Sequence, residues 1–220
     1  IMHETINNLI KIENQLKDAI GKEVNKTKNI IAVSKTFAID KISPLIEYGH
    51  IHFGENKVQE ATEKWMKIKK EYPSIKLHMI GKLQTNKVKF VIPLFDYIHS
   101  LDNLKLAKKI SEEEKKNNKK LKIFIQINIG LENQKSGINP DELLEFYKSC
   151  TQDLDLDIIG IMCLPPVDSK DNFYFLKMKE LINKLPVKEL SMGMSNDYIL
   201  AYTSGSTFLR IGSKIFGKRD

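Results

Sequence analysis

The sequence predicts an α/β fold in which eight parallel strands close into a barrel wrapped by helices, the (β/α)8 TIM-barrel architecture. Three observations predict it. Eight short apolar runs recur along 220 residues, and segments with helical start and stop signals lie between them. Strands that alternate with helices pair in parallel, because each crossover must travel back along the sheet. The length is near the lower bound for eight such units. An open doubly wound sheet shows the same alternation and stands as the alternative. No linker or shift in composition divides the chain, so residues 1–220 read as one domain.

The elements follow in order. Residues 2–26 place Ile6, Leu9, Ile10, Leu16, Ala19 and Ile20 on roughly one helical face, which predicts a long helix ahead of the first strand. The predicted strands are "NIIAVSK" (29–35), "HIHFGEN" (50–56), "LHMIG" (77–81), "FDYIHSL" (95–101), "KIFIQINI" (122–129), "DIIGIMCL" (157–164), "ELSMGM" (189–194) and "FLRIG" (208–212). Each has strand length, and most are rich in β-branched or aromatic residues. Between the first two, "SPLIEYG" offers Ser43-Pro44 as a helix start and Gly49 as a stop. "DNLKLAKKISEEEKK" sets Leu104, Ala107, Lys108 and Ile110 at helical spacing, and "GINPDELLEFYKSC" has Asn139 as N-cap, Pro140 at the first helical position and Glu142 completing a capping box. After the eighth strand only "SKIFGKRD" remains, too short for a full closing helix, so the leading helix is expected to fill part of that place on the outer wall.

Composition narrows the classes. Hydrophobic residues make up 41% of the chain, enough for a full core and against disorder. No apolar run approaches a membrane span, and the start lacks the order of a secretion signal. Cys150 and Cys163 have neither CxxC nor Cys/His spacing, so two reduced thiols are expected, with no disulfide framework and no metal site. A cytoplasmic location follows as the expectation. The net charge of +7 admits a nucleic-acid reading, but the densest basic run, "SEEEKKNNKKLK" (111–122), mixes both signs and reads as a solvated helix end.

Barrels of this kind carry their active residues at the carboxyl ends of the strands. Those ends read Lys35, Gly54-Glu55-Asn56, Gly81, Ser100, Asn128, Met162, Ser195 and Gly212-Ser213. The loops after the last two strands are the usual phosphate site. Ser195 would cap a short helix whose N–H groups face that site, and Gly212 and Ser213 can bring a backbone N–H and a hydroxyl close. Serine and glycine also end strands for turn chemistry alone. Lys35 closes an otherwise apolar strand. A lysine there ordinarily points into water. In a closed barrel, however, Arg210 on the eighth strand neighbours the first, and a fixed cation nearby frees a lysine amine as a nucleophile. A nucleophilic lysine opposite a phosphate cradle is what a phosphorylated aldehyde cofactor needs, which points to pyridoxal phosphate.

"AVSK", "HFGENKVQE", "LHMIGKLQTNK", "KSG", "GIMCLPP" and above all "LSMGMSNDYILAYTSGSTFLRIGSKIFGKR" resemble, in order and over nearly the whole chain, the pyridoxal phosphate homeostasis protein family. Lys57, Lys82 and Tyr202 depart from its pattern, away from the proposed cofactor contacts. The resemblance implies a fold-type III barrel like that of alanine racemase, with pyridoxal 5'-phosphate joined to Lys35 as an aldimine. It implies phosphate contacts at Ser195, Gly212 and Ser213, Arg210 against the pyridine nitrogen, and Asn56 and Met162 along the ring. An arginine there cannot surrender its proton, which weakens the ring as an electron sink. His78 reads as structural, lying deeper or at the opposite end.

The function implied is a carrier and regulator in vitamin B6 homeostasis, with no robust catalysis, acting as a monomer, with enzymes that use the cofactor as recipients and with neither nucleic acid nor membrane as partner. The fold relationship also invites an amino-acid racemase. Racemisation needs a second acid/base opposite the lysine, which related racemases supply from an additional β-domain. The chain stops after its eighth strand, so that domain is expected to be absent, and Tyr198 is the one stand-in the sequence offers.

Overall fold

The computed structural model describes residues 2–20 and 29–218. Its elements, in order, are α1 (Glu4–Ile20), β1 (Asn29–Val33), α2 (Ile39–Glu47), β2 (His52–Glu55), α3 (Val58–Glu71), β3 (Lys76–Met79), α4 (Val88–Leu94), β4 (Tyr97–Leu101), α5 (Leu104–Asn117), β5 (Lys122–Ile127), α6 (Leu143–Lys148), β6 (Asp157–Cys163), α7 (Phe173–Ile182), β7 (Glu189–Ser191), α8 (Tyr198–Thr203), β8 (Phe208–Ile211) and α9 (Ser213–Phe216). The eight strands form a closed parallel barrel in sequence order. Pairing of β1 with β8 closes it, Asn29 opposite Phe208 and Ile31 opposite Arg210, and this closure excludes the open sheet.

Two apolar regions follow from the period of two along each strand. Outward-facing residues such as Ala32, Phe53, Leu77, Ile98 and Leu209 meet the helices and form the larger core. Inward-facing Ile31, Val33, Tyr97, Phe124, Met162 and Phe208 fill the barrel's centre. A register shift between Ile123 and Phe124 sets Gln126 opposite Met162.

The leading helix buries Thr5, Leu9, Ile12 and Leu16, a stripe rotated from the expected one; Ala19 is exposed. Residues 21–26 of that expectation lie outside the described residues. As expected, α1 packs by the barrel's closing end. Asn8 donates to the Ile215 carbonyl of α9 at 3.0 Å, and the Tyr198 hydroxyl of α8 donates to Gln15.

Three local expectations change. The helix α2 begins at Ile39, so Pro44 lies within it, and the Ser43 hydroxyl donates back to the Ile39 carbonyl at 2.8 Å instead of capping. Gly49, at φ +96°, does end the helix. In α5 the buried face is Leu106, Ala107 and Ile110, whereas Leu104 is exposed. The mixed-charge run is less solvated than its sequence implies: Ser111, Glu113 and Glu114 are buried, and Glu114 accepts the Leu121 N–H at 2.7 Å just before β5. The capping box at Asn139 and Glu142 forms as read, although the first turn is 3-10.

Candidate functional site

At the carboxyl ends of the strands a cavity of about 1210 Å³ opens, and six of the seven residues singled out from the sequence line it: Lys35, Asn56, Ser195, Arg210, Gly212 and Ser213. The seventh, Met162, does not. It is fully buried in the inner cluster, paired in register with Gln126 and Ser191 one layer below the rim. Leu164, two residues further on, lines the cavity in its place.

Strand parity brings the lysine to the cavity. Ile31 and Val33 face inward on β1, and Lys35 follows on the same side, half-buried. Val33 sits opposite Gly54, so Asn56, just past the end of β2, comes to the neighbouring position. The backbone after the lysine is strained, since Thr36 has φ +67°, rare for a β-branched residue. Its N–H is held by Glu60 Oε1 at 2.6 Å. On the other side of the lysine, Ser34 donates to Glu55 Oε1 at 2.7 Å, and Lys64 Nζ bridges Glu55, Glu60 and the Ser34 carbonyl at 3.0, 2.9 and 2.9 Å. Gly81 lets the end of β3 approach: a Cβ there would lie 2.4 Å from the Asn56 carbonyl oxygen.

Ser195 is not a helix N-cap. The position before α8 is Asp197, whose carboxylate accepts the Met194 N–H at 2.7 Å and shapes the turn. The Ser195 hydroxyl instead accepts the Lys214 N–H of α9 at 3.4 Å. That contact joins the loops after β7 and β8, so the two small-residue strand ends stand side by side with hydroxyls and a helix start between them. Lys82, Lys135, Lys170 and Lys214 also line the cavity, against Asp171 and Asp197, which gives an electropositive mouth suited to an anion.

Arg210 is 4% exposed and, among the described residues, has no carboxylate as a hydrogen-bond partner. One terminal nitrogen donates to Ser191 Oγ at 2.6 Å and the other to the Cys163 carbonyl at 2.9 Å. Burial lowers its pKa, but a guanidinium keeps its proton in a protein. Burial also raises the Cys163 thiol to about 12, so it stays protonated beside that cation.

Tyr198, the stand-in for a second acid/base, also lines the cavity, but its ring is buried and its hydroxyl donates to Gln15. Tyr174 of α7, set aside in the sequence in favour of Tyr198, lines the cavity, as does Gln126 of β5. A polar residue inside the run "KIFIQINI" was the available signal for Gln126. Nothing local marks Tyr174. As the sequence reading expected, His78 lies deep in the barrel, fully buried.

These residues fit a phosphorylated aldehyde. The site has an amine on a strained turn, hydroxyl donors beside a helix start, and a buried cation whose hydrogen bonds, among the described residues, go to a hydroxyl and a carbonyl. Asn56 Oδ1, buried without a hydrogen-bond partner among the described residues, is an acceptor that a bound group can satisfy.

Comparison with known proteins agrees. The family described as alanine racemase, N-terminal domain, matches residues 8–220. The pyridoxal phosphate homeostasis protein of Haemophilus influenzae is 38% identical over 97% of this chain and 95% of its own length. That of Pasteurella multocida is 35% identical over 97% of both. Among solved structures, PipY of Synechococcus elongatus PCC7942 with PLP bound superposes with a TM-score of 0.85 at 28% identity, covering 97% of this chain and 100% of PipY. An alanine racemase of Clostridium difficile 630 shares the fold, with a TM-score of 0.73 at 15% identity, this chain spanning 57% of that one.

Proposed function

Because this chain belongs to the alanine racemase N-terminal domain family and, within it, to the pyridoxal phosphate homeostasis proteins, we propose that it binds pyridoxal 5'-phosphate and serves vitamin B6 homeostasis as a carrier and regulator, without robust turnover of its own. The observation that carries this is the convergence of Lys35, Arg210, Ser195, Gly212 and Ser213 on one cavity. When bound, the cofactor supplies an aldehyde that condenses with a lysine amine and a ring that draws electrons. Lys35 supplies that amine. The Ser195 and Ser213 hydroxyls, with the backbone at Gly212, hold the phosphate. Asn56, Val33 and Leu164 would line the ring, with Met162 packed beneath them. Arg210 would face the ring nitrogen and, being donor-only, would leave it unprotonated. The protein works as a monomer in the cytoplasm and hands the cofactor to enzymes that need it; light scattering at the mass of one 25.4 kDa chain is the companion expectation.

Borohydride treatment of the protein with its cofactor is expected to fix the label on the peptide containing Lys35. A label on Lys82 would displace the site. Replacing Ser195 and Ser213 together by alanine removes two hydrogen bonds to a charged group, at about 1.5–3 kcal/mol each. The preference for pyridoxal phosphate over pyridoxal should then fall at least tenfold, and an unchanged preference would move the phosphate elsewhere.

A racemase is the second reading, favoured by Tyr174 on the cavity wall. Against it, Arg210 leaves the ring a poor electron sink, and general acid–base help is worth about 10²–10⁴ in rate. No appreciable racemisation of L-alanine is expected in chiral chromatography after long incubation. Many turnovers per second, abolished by Tyr174→Phe, would overturn the carrier reading.

A further inference from the structure

Within the barrel, a continuous line of hydrogen bonds runs from Arg210 toward the amino-terminal ends of the strands. Ser191 Oγ lies 2.6 Å from the Arg210 guanidinium and 2.8 Å from His99 Nδ1. His99 Nε2 lies 2.9 Å from His78 Nδ1, and His78 Nε2 lies 2.9 Å from His52 Nδ1. His99, His78 and Ser191 are fully buried, and His52, at the start of β2, is half-buried. The rings are packed in place, His78 stacked on Tyr97 at 4.1 Å and His99 on Phe124 at 4.4 Å between centroids.

The direction of every bond follows from Arg210. A guanidinium has donors only, so Ser191 Oγ accepts from it. The hydroxyl hydrogen then goes to His99 Nδ1, its one acceptor among the described residues. A ring nitrogen that accepts carries no hydrogen, so His99 is protonated at Nε2 and donates to His78 Nδ1. By the same step, His78 donates through Nε2 to His52 Nδ1, and the Nε2–H of His52 points away from the cavity. All three histidines are therefore one tautomer, and all four dipoles turn their negative ends toward Arg210.

We propose that Ser191, backed by His99, His78 and His52, is the positioning chain of Arg210, fixing the guanidinium's orientation without pairing its charge to a carboxylate. A carboxylate in the place of Ser191 would hold the arginine equally well but cancel its charge; aligned neutral dipoles hold it and polarise one another. Burial supports a neutral chain by holding His78 and His99 well below the ordinary imidazole range. The consequence for the cofactor rests on the reading that Arg210 faces the ring nitrogen; the chain itself does not.

Two measurements separate these. In the protein without cofactor, ¹⁵N-histidine NMR at pH 7 should show His52, His78 and His99 all neutral and protonated at Nε2. Any one of them charged, or protonated at Nδ1, overturns the chain whatever the function. In the protein carrying pyridoxal phosphate, Ser191→Ala should shift the absorption band of the bound cofactor, and Ser191→Thr, which keeps the hydroxyl, should restore it. An unshifted band in Ser191→Ala, or a band that Ser191→Thr fails to restore, overturns the positioning role. Failure of borohydride to label Lys35 would sink the functional reading while leaving the NMR result standing.

Discussion

Lowering the pH from 7 to 5 is expected to destabilise the protein by several kcal/mol. The cause is the histidine-rich interior. Burial, the largest cause in each case, lowers His50 and His52 to about 4 and holds His78 and His99 well below 6.5. Unfolding returns each ring to its ordinary value near 6.5. Between the two values the unfolded state binds more protons, so stability is fully present above about pH 6.5 and is lost as the pH falls toward the folded values. At pH 5 a histidine with a folded pKa near 4 costs about 2 kcal/mol, less where water still reaches the ring, as at His50 and His52. The fully buried His78 and His99 act in the same direction. Glu114, raised by its own burial, acts in the opposite one. Together the histidines threaten a large part of the 5–15 kcal/mol typical of a domain. Urea unfolding at pH 7.5, 6 and 5 measures this, and a midpoint independent of pH would mean that the folded interior accepts protons.

The same histidines mark the limit of what the sequence could disclose. The strands were legible because each carries its own apolar, β-branched run. Arg210 and Lys35 were legible because each is a cation in or at the end of such a run. His78 could be placed deep by counting from Gly81. Its partners could not, since His52 and His99 lie 26 and 21 residues away and meet it only because the barrel closes. Met162 is expected at the rim because it stands near the end of the sixth apolar run, but it packs into the inner cluster level with Gln126 and Ser191. Ser195 is expected to cap a short helix facing the phosphate site after the seventh strand. Asp197 shapes that turn instead, and the hydroxyl turns to the next loop. Local chemistry disclosed which groups matter, and long-range pairing decided what each one touches.

Glu55 shows how much such pairing can carry. It ends β2, is fully buried, and draws three donors to Oε1: the Ser34 hydroxyl at 2.7 Å, the Trp65 ring N–H at 2.9 Å and Lys64 Nζ at 3.0 Å. Replacing it by alanine leaves an ammonium without its most buried counter-charge and an indole N–H without an acceptor. Breaking a buried ion pair from one side costs about 3–5 kcal/mol, so Glu55→Ala is expected to lower unfolding stability by that amount in urea. Glu55→Gln keeps an acceptor for Ser34 and Trp65 and should lose less. Lys64→Met removes the cation as well, so the double variant Glu55→Gln, Lys64→Met should recover part of the loss. Strict additivity of the two changes would show that the pair is not coupled. The effect also reaches the site, because Ser34 and Thr36 flank Lys35 and both are tied into this network, Ser34 through Glu55 and Lys64, Thr36 through Glu60. Loosening it releases the strained turn that aims the amine. Glu55→Gln should therefore slow attachment of pyridoxal phosphate to Lys35 even where the fold survives, and attachment at an unchanged rate would confine Glu55 to stability alone.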